Sequence, residues 1–154
     1  MPNPAGAEIK VSVNISQKQI STDDFVEHVA ALLMEMGINP ADLRMEITES
    51  LLMENPERAT IALSRLKSLG ISLDMDDFGT GYSSLSYLHK FPIDGLKIDR
   101  SFIIGIANSA DHQEIVKTMI GLAHNLNINV TAEGVETLEQ LELLRAMGCN
   151  YAQG

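Results

Sequence analysis

Asn14, Glu46, Asp76 with Asp77, Lys97, Glu133 and Gln153 each stand close to the C-terminal end of a short, strand-like run. Carboxylates forced together raise one another's pKa or demand a cation. The ligands on offer are carboxylates and an amide oxygen with no Cys/His cluster, so hard ions such as Mg²⁺ or Mn²⁺ are favoured over Zn²⁺. An adjacent pair such as Asp76-Asp77 can serve two ions, one carboxylate bridging while its neighbour binds the second. Taken singly, each residue has a plainer use. Two aspartates at a strand end suit a turn or cap, Asn14 can satisfy loose backbone groups, and Lys97 can pair with Asp99 or with a neighbouring strand. His28, His89, His112 and His124 share no ligand spacing.

The set has meaning only if the chain gathers it, and the flanking residues say how. In Val11-Ser12-Val13-Asn14-Ile15 the apolar residues share one parity, so a side-chain period of two sends Asn14 to the opposite face. Met45 and Ile47 oppose Glu46, Leu73 and Met75 oppose Asp74 and Asp76, Leu96 and Ile98 oppose Lys97, and Val130 and Ala132 oppose Glu133. An antiparallel sheet with one wet face would also alternate. Helical segments between nearly all the strands argue against it. Asp23 to Met36 carries Phe25, Val29, Leu32, Leu33 and Met36 at helical spacing, with Ser21 and Asp24 as a capping box and Gly37 as the stop. Asn55-Pro56 opens a second helix through Ile61, Ala62, Leu66 and Leu69 to Gly70. Ile115, Met119, Leu122, Ala123 and Leu126 form a third stripe. Thr137 and Gln140 box the start of a fourth, with Leu138, Leu141 and Leu144 inside and Gly148 beyond its end. Such alternation predicts an α/β fold with about six parallel strands, either open or part of a (β/α)8 barrel, whose strand ends share one rim.

Composition limits the function classes. The 154 residues are 45% hydrophobic, which suits one domain with a real core. No apolar run is long enough to span a bilayer and no signal peptide is evident, so a cytoplasmic location is expected. A single cysteine, Cys149, excludes an internal disulfide framework. With 21 acidic against 11 basic residues the formal net charge is −10, which repels nucleic acid.

Six motifs then fall in order along the chain: Ser12-Val13-Asn14-Ile15-Ser16, Glu46-Ile47-Thr48-Glu49-Ser50, Asp76-Asp77-Phe78-Gly79-Thr80-Gly81-Tyr82-Ser83-Ser84, Leu96-Lys97-Ile98-Asp99, Ala132-Glu133-Gly134-Val135-Glu136 and Ala152-Gln153-Gly154. Together they resemble the successive signatures of the EAL-domain cyclic-di-GMP phosphodiesterases. The resemblance implies a TIM-like barrel that hydrolyses cyclic-di-GMP to linear pGpG with two Mg²⁺ or Mn²⁺ ions. It further implies that Asn14, Glu46 and Asp76 hold the first ion, and that Asp76 and Asp77 hold the second with support from Glu133. Lys97 would polarise the attacking water and Gln153 would orient it. Glu49 would pin the loop from Phe78 to Ser84, and Phe78, Gly79, Thr80, Gly81 and Glu136 would serve the loop and the substrate. Gly79 and Gly81 allow that loop backbone shapes other residues resist.

The Glu-Ala-Leu tripeptide that names the family does not occur in the sequence. The chain therefore resembles strands three to eight of the barrel, an incomplete EAL domain over residues 1–154. Two strand edges are then exposed, near Val11 to Ile15 and at Tyr151 to Gly154, which invites a homodimer. Fused cyclase or sensory modules, common in the family, are expected in the parent protein, and little activity is expected from the fragment alone. The missing glutamate motivates one alternative, a catalytically inactive cyclic-di-GMP receptor. Some other metal-assisted barrel enzyme is a third reading, because fold alone does not fix chemistry.

Overall fold

Parallel neighbours cannot be joined by a tight turn, so each strand of such a sheet is followed by a crossover that packs back on its apolar face. The computed structural model, which describes residues 10–81 and 85–154, has this order. Strands β1 (Val11–Asn14), β2 (Leu43–Thr48), β3 (Ser72–Phe78), β4 (Gly95–Ile98), β5 (Asn129–Glu133) and β6 (Tyr151–Gln153) form one sheet in chain order. Every pairing is parallel. Helices α1 (Gln17–Ile20), α2 (Phe25–Met36), α3 (Glu49–Glu54), α4 (Pro56–Ser68), α5 (Leu85–Leu88), α6 (Arg100–Ile103), α7 (Ala110–Asn125) and α8 (Leu138–Ala146) fill the crossovers. The result is six strands of a parallel half-barrel, as expected. Tyr82, Ser83, Ser84 and the opening residues Met1 to Gly6 lie outside the described residues.

The helix signals act where their geometry permits. Asn55 Oδ1 accepts the Arg58 N–H at 3.1 Å with Pro56 in the first turn, and α2 stops at Gly37 with φ 64°. Thr137 and Gln140 form the expected capping box of α8. The Ser21–Asp24 box does not form: Asp24 makes no side-chain cap, and the box in this region is Ser16 with Gln19 at the start of α1. Ser21 is the C-cap of α1 and Asp24 the N-cap of α2, so neither stands where a box joining them would need it.

Ile47, Leu73, Met75, Leu96, Ile98, Val130 and Ala132 are buried on the outer face of the sheet among Leu52, Leu63, Leu66, Ile103, Val116 and Ile120. Each large aliphatic group so buried contributes about 1.5–3 kcal/mol. Five residues expected on apolar stripes are exposed instead, namely Leu32, Met36, Ile61, Ile115 and Leu138. Leu32 borders an open apolar groove with Val13, Phe25, Val29, Leu33 and Met45 at the β1 edge, so its helix overhangs the sheet. Leu138 starts α8, and Gln140 takes the inward position. β1 and β6 are the sheet edges and are exposed, as expected. Among the described residues, no helix is long and apolar enough to cross a membrane.

Candidate metal centre

Parallel pairing in chain order puts all the strand C-termini on one rim, and the register places the polar residues in rows. Asn14 pairs with Glu46, Thr48 with Asp76, Lys97 with Thr131, and Glu133 with Gln153. The inner face therefore carries Arg44 and Glu46 on β2, Asp74 and Asp76 on β3, Gly95 and Lys97 on β4, and Thr131 and Glu133 on β5.

Lys97 is the hub of the row. Its Nζ lies 2.6 Å from Glu133 Oε1, 2.9 Å from Glu46 Oε2 and 3.7 Å from Asp76 Oδ1, and its side chain is 8% exposed. Burial alone would favour the neutral amine. The hydrogen bonds to Glu133 and Glu46 and the charge of Asp76 outweigh it, so the ammonium is held above its ordinary value of 10.5. Lys97 does not pair with Asp99, whose carboxylate instead caps α6 by accepting the Ser101 N–H at 3.0 Å.

Asp76 and Asp77 are consecutive, so a regular strand would send them to opposite faces. Here the β3–β4 register slips between Met75 and Phe78, and Asp77 adopts φ 54°. A bulge of this kind re-aims a side chain at the cost of local strain. One oxygen from each of Asp76, Asp77 and Glu133 consequently lies within 4.8 Å of the other two. Burial, then the charges of Asp76 and Asp99, raise the Asp77 pKa. A cation with oxygen bonds of about 2.4 Å spans about 4.8 Å between ligands, so this carboxylate set fits a hard divalent ion.

The turn after β3 meets the Glu49 side chain. That carboxylate is buried at the start of α3, and its Oε2 accepts the Gly79 N–H at 3.0 Å. Thr80 closes the turn on the Asp77 carbonyl, its N–H at 3.2 Å and its hydroxyl at 2.8 Å. Gly79 uses its freedom, with φ 93°, whereas Gly81 is not left-handed and lies in ordinary contact with Glu49. Phe78 is buried in the core. Asn14 and Gln153 stand in register beside the cluster, but among the described residues neither their side chains nor that of Glu136 hydrogen-bonds its carboxylates. Sequence reasoning assigned no role to the buried pair beneath the site. Arg44 donates to Asp74 at 3.0 Å, while Asp74 Oδ1 and Arg44 Nε are buried with no hydrogen-bond partner among the described residues. Asp74 is raised by burial against the opposing pull of Arg44. Gly95 makes the space, because a Cβ there would fall 2.4 Å from Asp74 Oδ1.

The EAL domain model matches residues 2–154. The chain belongs to the EAL domain family. It is 44% identical over 151 residues to the cyclic di-GMP phosphodiesterase NbdA of Pseudomonas aeruginosa, covering 97% of this chain and 19% of that protein. The EAL chain also superposes on the PaMucR phosphodiesterase in its c-di-GMP complex with a TM-score of 0.92 at 39% identity, covering 97% of this chain and 61% of that one. Against the manganese and cy-diGMP complex of Klebsiella pneumoniae BlrP1 at pH 9.0, the TM-score is 0.85 at 31% identity, covering 94% of this chain and 37% of that one. The chain spans about a fifth of the length of the curated relatives it matches.

Proposed function

We propose that this EAL chain is part of a cytoplasmic, metal-dependent phosphodiesterase that hydrolyses cyclic-di-GMP to linear pGpG. The observation that carries the reading is the convergence of Asp76, Asp77 and Glu133 to within 4.8 Å beside Lys97. Asn14, Glu46, Asp76, Asp77 and Glu133 would hold two Mg²⁺ or Mn²⁺ ions. Bound there, the ions supply charge neutralisation for an anionic dinucleotide and a water nucleophile at neutral pH.

The chain's own groups do the positioning. Lys97, protonated at neutral pH, gives two of its three N–H donors to Glu133 at 2.6 Å and Glu46 at 2.9 Å, and the third can hold a water beside the cluster. Gln153, in register beside Glu133, stands where an amide can orient that water or a nearby ligand. Glu49 holds the Asp77 turn through Gly79. The parent protein carries further modules, in keeping with the fifth of its relatives' length that the chain spans. Exposed edges at β1 and β6 support association with a second copy.

Incubation with cyclic-di-GMP and Mn²⁺, followed by chromatography, tests the reading. Linear pGpG is expected from the intact parent. Tight binding without product would instead support the receptor, and neither binding nor product would end both readings.

A further inference from the structure

The turn that carries Asp77 holds two left-handed residues in a span of three, Asp77 at φ 54° and Gly79 at φ 93°. A non-glycine residue persists in that region only where its surroundings over-determine it. Glu49 supplies one restraint through the Gly79 N–H. The second is apolar. A Cβ on Gly79 would fall 2.5 Å from Met119 Cε and 3.1 Å from two ring atoms of Phe102, so the bare backbone rests directly on these side chains. Both pack against the buried core, Met119 from α7 and Phe102 from α6. The turn is thereby keyed to two helices that contribute no ligand themselves.

We propose that Met119, seated with Phe102 under Gly79, is a positioning residue for Asp77 and so sets the divalent-cation affinity of the Asp76, Asp77 and Glu133 cluster. This rests on the metal-dependent reading above. An unbranched thioether suits an irregular gap of this kind. Alanine at that position removes the surface on which Gly79 sits and lets the turn relax out of the conformation that aims Asp77 at the rim. Leucine keeps most of the volume.

The test is a Mn²⁺ titration of the intact parent protein, following the free ion by electron paramagnetic resonance. Met119→Ala is expected to weaken Mn²⁺ binding about tenfold, as loss of a supporting contact does in other metal sites. Met119→Leu should restore affinity close to wild type. Val116→Ala, fully buried one turn away on α7, should lower thermal stability and leave Mn²⁺ affinity unchanged. Phe102→Leu provides a second probe should Met119→Ala fail to fold, with a several-fold weakening expected. Unchanged affinity in Met119→Ala, or in Phe102→Leu if the first does not fold, overturns the positioning role, as does an equal weakening in Val116→Ala. A wild-type chain that takes up no Mn²⁺ brings down the metal reading and this inference with it, whereas wild-type binding with an indifferent Met119 defeats the inference alone.

Discussion

Lys97→Met separates the charge of the hub from its bulk, because methionine keeps most of the unbranched stem. At an effective dielectric constant of about 20, a pair of charges some 3–4 Å apart attracts by roughly 4–6 kcal/mol before desolvation is charged against it. Lys97 makes three such contacts, at 2.6, 2.9 and 3.7 Å, with side chains that are 22%, 12% and 16% exposed. The desolvation of the ammonium offsets much of that sum, so the measurable quantity is the cost of stranding buried carboxylates, about 3–5 kcal/mol. For a domain of this size that is a fall in Tm of about 6–20 °C in the absence of metal. Lys97 is held above 10.5, so its contribution is complete at every pH below that value and fades only as pH rises through the higher folded one. Divalent ions can take over the neutralisation, and ligand present at a hundred times its Kd adds about 2.7 kcal/mol. Thermal melts at pH 7 and constant ionic strength, with and without Mn²⁺, should therefore show a larger metal-dependent rise in Lys97→Met than in wild type. A variant that melts within about 2 °C of wild type without metal, or equal metal increments in the two proteins, would refute the assignment of Lys97 as the internal counter-ion.

Asp76→Ala in the intact parent should abolish cyclic-di-GMP turnover, with a loss exceeding the roughly hundredfold that supporting residues cost; near-normal rates by chromatography would rule out a bridging role. Glu49→Ala removes a charge-assisted hydrogen bond worth about 1.5–3 kcal/mol, so the Gly79 amide should exchange faster and Mn²⁺ affinity should fall. Unchanged exchange would show that the anchor is idle. Asp99 is held below 3.8 by hydrogen bonds from the Ser101 hydroxyl and N–H. Its cap is therefore present above that pH and is lost as pH falls through the folded value. Asp99→Ala should cost about 1 kcal/mol in urea melts at pH 7, and the gap should narrow as pH falls below 3.8; a gap that does not narrow on acidification rejects the capping role.

The sheet was legible because its rule is local. Period-two alternation assigned Met45, Ile47, Leu73, Met75, Leu96 and Ile98 to the buried face, and the structure buries every one, whereas Val11 and Val13, given the same face on the edge strand β1, are exposed. Glycine stops and the Asn55-Pro56 start were equally readable, since each depends on one residue's backbone preference. Helix stripes were less so. Spacing identifies which face of a helix is apolar but not how wide its partner is, and on α2 Leu32, at the mouth of an open groove, and Met36 are both left exposed. At α8 the inward place belongs to Gln140, whose Oε1 accepts the Glu136 and Thr137 N–H groups while its Nε2 donates to Ile103 O. A polar residue able to satisfy all its own groups can outcompete a leucine for a buried position, and no apolar pattern announces that. The slip that turns Asp77 toward Asp76 was also hidden. It sits in the pairing with β4, and Met119 and Phe102 lie against the Gly79 backbone that follows it, and none of these is near in sequence.

Side-chain length explains why one lysine can serve carboxylates from three strands. Neighbouring strands stand about 4.8 Å apart, so β2 is about two spacings from β4 and only a long acid there can meet a long base. Glu46 occupies that remote position and reaches Lys97 at 2.9 Å. Asp76, on the adjacent β3, is shorter and stays at 3.7 Å, which leaves its Oδ1 free to accept the Asp77 N–H at 2.9 Å and to brace the bulge. Glu133, adjacent on the other side, has the reach both to hold Lys97 and to converge with the aspartates. The ligand set is thus matched to strand spacing as well as to charge, and the same geometry that draws the carboxylates around Lys97 keeps Asp76, Asp77 and Glu133 poised to share a cation.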